Sequence, residues 1–244
     1  MIKKALKKMI PNAVHRWRQR RLVRQRQQTF SEQSAAETFS EIYSENIWGG
    51  DPGDFYSGDG SAEAFAEQYS AAVKQFIAAN GIENVVDLGC GDFRVASKIV
   101  SDEIKYTGVD VVASLIEHHK RNHANENVDF LCLDIAEDEL PQGELCLIRQ
   151  VLQHLSNAEI GSILKNCQKY KFLIITEHYP RPELKAVPNL DIPHGPGMRV
   201  FFDSAVFLDQ PPFNLKNISL MLDVEAEERT RIKTFLIRNE TGNP

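Results

Sequence analysis

Val85-Val86-Asp87-Leu88-Gly89-Cys90-Gly91-Asp92 runs an apolar strand straight into two closely spaced glycines. The strand, Asn84–Leu88, is short and carries Val85, Val86 and Leu88, as a strand buried on both faces should. Glycines at its end let backbone amides approach a ligand that a side chain would exclude. Nineteen residues beyond Gly91, the next expected strand, Lys105–Asp110, ends on a carboxylate that can accept both hydroxyls of a ribose. The third, Val128–Leu133, runs into Asp134-Ile135, an acceptor for an exocyclic amine followed by an apolar residue to pack on an adenine face. The spacing therefore points to a nucleoside-like ligand.

Outward from this stretch, Glu144–Arg149 and Phe172–Glu177 read as further strands. Helices are expected near Arg94–Ser101, Ser114–His123 and Asn157–Gln168, the last opening on the capping box Ser156-Asn157-Ala158-Glu159. A preceding helix begins at Ser61, carries Phe65, Tyr69, Val73, Phe76 and Ile77 at helical spacing, and stops at Asn80-Gly81. Alternation of this kind implies a parallel, doubly wound α/β sheet with helices on both faces. Residues 179–216 break the pattern, with seven of the eleven prolines, and are expected to form an irregular wall on the acceptor side of a cleft. Two strands follow, Asn217–Asp223 and Arg231–Arg238, too close together to pair other than antiparallel. The organisation is thus an arm (1–30), a lid or linker rich in glycine and aspartate (31–60), and one domain (61–244). Cys90, Cys132, Cys146 and Cys167 lack the spacing of zinc or redox motifs and read as reduced, buried side chains.

Charge divides the chain. Residues 1–30 contain ten Lys and Arg and no acid, leaving 18 basic against 34 acidic residues elsewhere. An anionic body argues against broad nucleic-acid binding. In the arm, Leu6, Met9, Ile10, Val14, Trp17 and Leu22 interleave with the cations, which suits a helix on an anionic membrane surface; RNA contact and a solvated extension are the alternatives. No apolar run is long enough to span a bilayer and no secretory leader is visible, so the expected location is the cytoplasm, with peripheral attachment at the inner face of the membrane through the arm.

Nicotinamide enzymes use a similar glycine turn, but their fingerprint wants a third glycine where this chain has Arg94. With Asp87 ahead of the glycines, the pattern instead resembles the class I S-adenosylmethionine-dependent methyltransferases over about residues 61–178 and the closing hairpin. The resemblance implies a Rossmann-like seven-stranded sheet, five strands parallel and the closing hairpin antiparallel, with S-adenosyl-L-methionine as cofactor. It places Asp87, Gly89, Cys90 and Gly91 around the methionine part, Asp110 and Val111 at the ribose, Asp134 and Ile135 at the adenine, and Arg149 and Gln150 facing the sulfonium. The strand ending Ile148-Arg149-Gln150-Val151 lacks the Asn/Asp-Pro-Pro-aromatic element of many base and amide methyltransferases, which disfavours a nucleobase acceptor. Trp48-Gly49-Gly50, Ser57–Ser61, Asn189–Ile192 and Pro211-Pro212-Phe213 resemble, more loosely, methyltransferases of bacterial polysaccharide assembly.

The expected acceptor is a sugar hydroxyl, which needs a base or a metal. His178, beside Glu177, ranks first; His154 is at least as readable as a satisfied partner at a helix start, and His194, near Asp191, could bind the acceptor or act as base. Trp48, Asp191 and Arg199 are candidate acceptor contacts, Arg199 as a clamp for an anionic group, though a surface ion pair would look the same. His119 and His123 share a helix face at ligand spacing, but that helix is expected outside the sheet, so no metal site is assigned and metal dependence is left open. Competing readings are methylation of a small metabolite or carboxylate, which needs no base, and a membrane-recruited protein that binds the cofactor without turnover.

Overall fold

The computed structural model describes Arg21 and residues 29–30, 32–51, 53–58, 63–226 and 230–239. The basic arm and its membrane reading lie almost wholly outside these residues. Five parallel strands form as the sequence implies: β1 (Asn84–Leu88), β2 (Lys105–Asp110), β3 (Val128–Cys132), β4 (Leu145–Arg149) and β5 (Phe172–Pro180). The short strands β6 (Val187–Pro188) and β7 (Ser204–Ala205) pair in parallel with each other, apart from the main sheet. The hairpin β8 (Ile218–Glu225) and β9 (Thr230–Arg238) closes the fold, with β9 antiparallel to β5. The order β3-β2-β1-β4-β5-β9-β8 is that of a seven-stranded, Rossmann-like sheet.

Strand alternation divides the core between the two faces. Val85, Leu145, Leu147 and Ile174 face helix α2 (Glu63–Asn80) through its Tyr69, Val73 and Phe76. Val86, Cys146, Ile148 and Ile175 face α4 (Asn157–Asn166) through Ile160 and Ile163. The capping box opens α4, since Ser156 Oγ accepts from Glu159 N and the Glu159 carboxylate accepts from Ser156 N at 2.7 Å. Two helices belong beside these: α1 (Ala35–Ser44) and α3 (Ala113–Asn122).

The segment after β1 departs from expectation. In place of a helix over 94–101 there are turns with one 3-10 turn at Ala96–Lys98. Phe93 sits in the left-handed region (φ 61), which precludes a helical start, and the β-branched Val95, Ile99 and Val100 weaken continuation. Val95, Ala96 and Ile99 are buried nonetheless, so the turn still covers the core. β5 also runs three residues beyond its expected end, held by β9 as far as Thr230.

Candidate active site

A cleft opens at the carboxyl ends of β1, β2 and β4, where the chain leaves β1 toward β2 on one side and returns to β4 on the other. All ten residues singled out from the sequence for cofactor contact line it: Asp87, Gly89, Cys90, Gly91, Asp110, Val111, Asp134, Ile135, Arg149 and Gln150. The glycines are required by geometry. At Gly89 (φ +75) a Cβ would stand 2.4 Å from Val151 Cγ2, and at Gly91 (φ +54) 2.5 Å from Ser57 Oγ.

Asp110 is held before any ligand arrives. Its carboxylate accepts from Gly91 N and Val112 N, each at 3.1 Å, tying the end of β2 to the glycine turn. Burial raises its pKa, and these amides oppose the rise. Asp87 takes the Tyr106 hydroxyl at 2.8 Å; burial pushes its carboxyl up to about 6, against the pull of that bond and of Arg149. The Arg149 guanidinium lies over the Tyr69 ring at 5.3 Å. Gln150, next along, is in the left-handed region (φ 58), and its Nε2 is buried without a partner among the described residues. Backbone strain and an unpaired donor at one cleft residue are features of a site shaped for binding.

The roof comes from residues that precede the sheet. Helix α1 starts on a second capping box, Ser34 with Glu37, and sends Phe39 and Tyr43 into the cleft wall beside Trp48. The loop after it is latched to the glycine turn by a reciprocal pair: Ser57 N donates to Asp92 Oδ2 at 3.0 Å and Asp92 N to Ser57 Oγ at 2.8 Å. The Tyr43 hydroxyl meets the same Ser57 Oγ at 2.8 Å. Trp48 stacks edge-on to Tyr43 and is pinned by its Nε1, which donates to Pro196 O at 3.2 Å.

The three histidines part company. His154 lines the cleft, its ring 5.1 Å from that of Trp48, and burial lowers its pKa to about 4. Gln153 Nε2 approaches its Nε2 at 3.3 Å, and the backbone of Gly195 and Gly197 partly opposes the fall in pKa. His178 does not line the cleft; burial, then the charge of Arg149, lowers it to about 4 as well. His194 lies outside, its Nδ1 on Glu159 Oε1 at 2.7 Å and its Nε2 on Gln33 O at 3.1 Å, so both ring nitrogens already have partners that pin the start of the roof to α4.

Among the described residues none from 179–216 lines the cleft, so the proline-rich stretch packs behind the site rather than walling it. Arg199 is buried and its guanidinium donates to Leu190 O and Leu155 O, which leaves it no clamp to offer an acceptor. Asp191 is exposed and accepts Asn157 N at 2.8 Å, beside the start of α4. Long-range backbone pairing of this sort has no local sequence signature.

Glu177 was not singled out for a role of its own. It is 1% exposed, and its carboxylate accepts Leu152 N at 2.8 Å and Gln153 N at 3.2 Å, fixing the turn that carries Gln150 and His154. Burial pushes it up to about 8. α3 packs on the outer face of the sheet with His119 on its inward stripe, buried against Phe93 and Phe130.

Residues 85–170 match the family model described as a methyltransferase domain. The fold is similar to that of the N-terminal domain of EvdMO1, solved in the presence of S-adenosylhomocysteine and D-fucose (TM-score 0.51, 12% identity, covering 85% of this chain and 98% of that one). It is also similar to the methyltransferase domain of bacterial CtHen1 (TM-score 0.50, 14% identity, 69% and 97% covered). No curated protein matches the sequence.

Proposed function

We propose that this protein is a class I S-adenosylmethionine-dependent methyltransferase and that it methylates a hydroxyl of a sugar or other polyhydroxyl acceptor. The observation that carries the reading is a neutral imidazole, His154, set against the Trp48 ring at 5.1 Å in the wall of the cofactor cleft. An aromatic face suits the apolar face of a sugar, and an unprotonated imidazole can take the hydroxyl proton.

The cleft fits the cofactor: the glycines leave no room for side chains, Gln150 Nε2 is unpaired, and Asp110 is a fixed acceptor at the ribose position. In this assignment Asp87, Gly89, Cys90 and Gly91 surround the methionine part, Asp110 and Val111 the ribose, Asp134 and Ile135 the adenine, and Arg149 with Gln150 the end nearest the sulfur. Bound S-adenosylmethionine supplies an electrophilic methyl on a good leaving group. The protein's task is to align the acceptor oxygen, exclude water under the roof and accept one proton at His154. Glu177 is a positioning residue in this scheme, through its hold on the 150–155 turn.

Methyl-labelled cofactor offered with a panel of sugars, nucleotide sugars, phenols and carboxylic acids tests the reading. Base-stable label on sugar oxygens is the expected outcome. Base-labile ester alone would replace it with carboxylate methylation, and cofactor binding without turnover on any acceptor would point to a binding protein. The ten basic residues of the arm support docking on an anionic membrane, so vesicles rich in anionic lipid should sediment the full chain and not a form lacking residues 1–30. No helix among the described residues is long and apolar enough to cross a membrane.

The roof latch should matter for affinity. Ser57→Ala leaves Asp92 N without its acceptor, a cost of about 1 kcal/mol, so S-adenosylhomocysteine should bind about 5-fold more weakly by calorimetry, with little change in melting temperature.

A further inference from the structure

His118 and His119, in the second half of α3, and His123, which follows it, each offer a ring nitrogen, and these nitrogens lie within 4.8 Å of one another. Three imidazoles that close are a donor set for a borderline divalent cation such as zinc. A tetrahedral ion with bonds of about 2.0–2.1 Å wants its nitrogens about 3.4 Å apart. Rotation of His118, half-buried, and His123, exposed, can supply that contraction around a fixed His119.

His119 is fixed in the manner a ligand requires. It is 1% exposed, and its Nε2 pairs with Gly91 O at 2.7 Å. A carbonyl can only accept, so Nε2 carries the proton and Nδ1 keeps its lone pair. Nδ1 is buried and has no hydrogen-bond partner among the described residues. Ligating histidines commonly donate their other N–H to a backbone carbonyl, which sets the tautomer and orients the ring. Here the carbonyl belongs to the glycine turn, and the ring of His118 packs on Phe55 of the roof loop at 5.3 Å. A cation held by these three rings would join the turn to the roof.

We propose that His118, His119 and His123 form a binding site for a zinc-class divalent cation, and that its occupancy tightens cofactor binding by fixing Gly91. The second half rests on the assignment of the Gly89–Gly91 turn to the cofactor; the first does not, so the two fail separately. The test uses the full chain stripped with chelator and titrated with Zn²⁺ alone in a calorimeter. One Zn²⁺ per chain is expected, with His118→Gln and His123→Gln each weakening binding about 10–100-fold and leaving the metal-free melting temperature unchanged. Both side chains are accessible enough to replace without opening the core, unlike His119. No binding by the wild type, or binding unchanged in both variants, would overturn the site. Titration of S-adenosylhomocysteine with and without Zn²⁺ tests the coupling: the wild type should bind several-fold tighter with metal and His123→Gln should not respond. Equal wild-type affinities in the two conditions would overturn the coupling while leaving the site.

Discussion

Replacing Asp110 by alanine should weaken S-adenosylhomocysteine binding about 100-fold, the effect of about 2–3 kcal/mol expected when charged hydrogen bonds to a ribose are lost. The same change strips Gly91 N and Val112 N of their buried acceptor, so the melting temperature should fall as well. Asp110→Asn separates the two effects. One oxygen remains to receive one backbone amide, and folding should be largely kept, while the neutral amide still forfeits most of the affinity. Gly89→Ala should be at least as damaging, since the left-handed backbone alone costs about 1–2 kcal/mol with a side chain and the new Cβ would stand 2.4 Å from Val151. Calorimetric titration alongside a melting curve distinguishes loss of the site from loss of the fold. An Asp110→Ala protein that bound like the wild type would remove the basis for assigning the cleft.

The second large effect concerns the proposed base. His154→Ala should lower kcat by about 10²–10⁴ with cofactor affinity preserved, the range ordinarily contributed by a positioned proton acceptor. His178→Ala should cost far less, because His178 does not line the cleft. The pH profile carries independent information. Burial holds His154 at about 4 rather than 6.5, so the acid limb of kcat should lie toward 4, with activity flat through 6.5. The lowered values of His154 and His178 also bear on stability: between 6.5 and about 4 the unfolded chain binds protons that the folded chain refuses, so both contribute a loss of stability as pH falls through that window. Glu177, raised to about 8, acts with the opposite sign above the ordinary carboxylate range. Full activity in His154→Ala would favour an acceptor that needs no base.

The sheet was legible because its signals are local. Apolar runs bounded by glycine, a carboxylate at the end of β2, and the Ser156–Glu159 box each lie within a few residues of sequence, and the antiparallel closure followed from a turn too short for anything else. Where the reading failed, the cause lay between elements. Prolines and lost periodicity mark residues 179–216 as irregular but do not say which way they face, and Arg199 folds inward onto the Leu155 and Leu190 carbonyls. Nothing near His194 in sequence reveals that Glu159 and Gln33 occupy both its nitrogens. Two further features have local signatures. Ser34-Ala35-Ala36-Glu37 has the spacing of a capping box and announces α1. His119 shares the apolar stripe of Leu115 and Ile116, which marks it as facing the core.

The cleft is assembled from two stretches of chain that meet only at a few points. Its floor is made by the ends of β1, β2 and β4, and its roof by residues 34–58, joined to the floor at Ser57 and Asp92. Because the roof is contiguous and lies wholly ahead of the sheet, it can be replaced as one segment, provided its ties at Ser57 and Trp48 are kept. A related sequence could lengthen it, shorten it or replace its aromatic residues in one genetic event without disturbing a single strand. If the roof meets the acceptor as proposed, a graft of 34–58 between two such chains should change the substrate while leaving cofactor affinity in place.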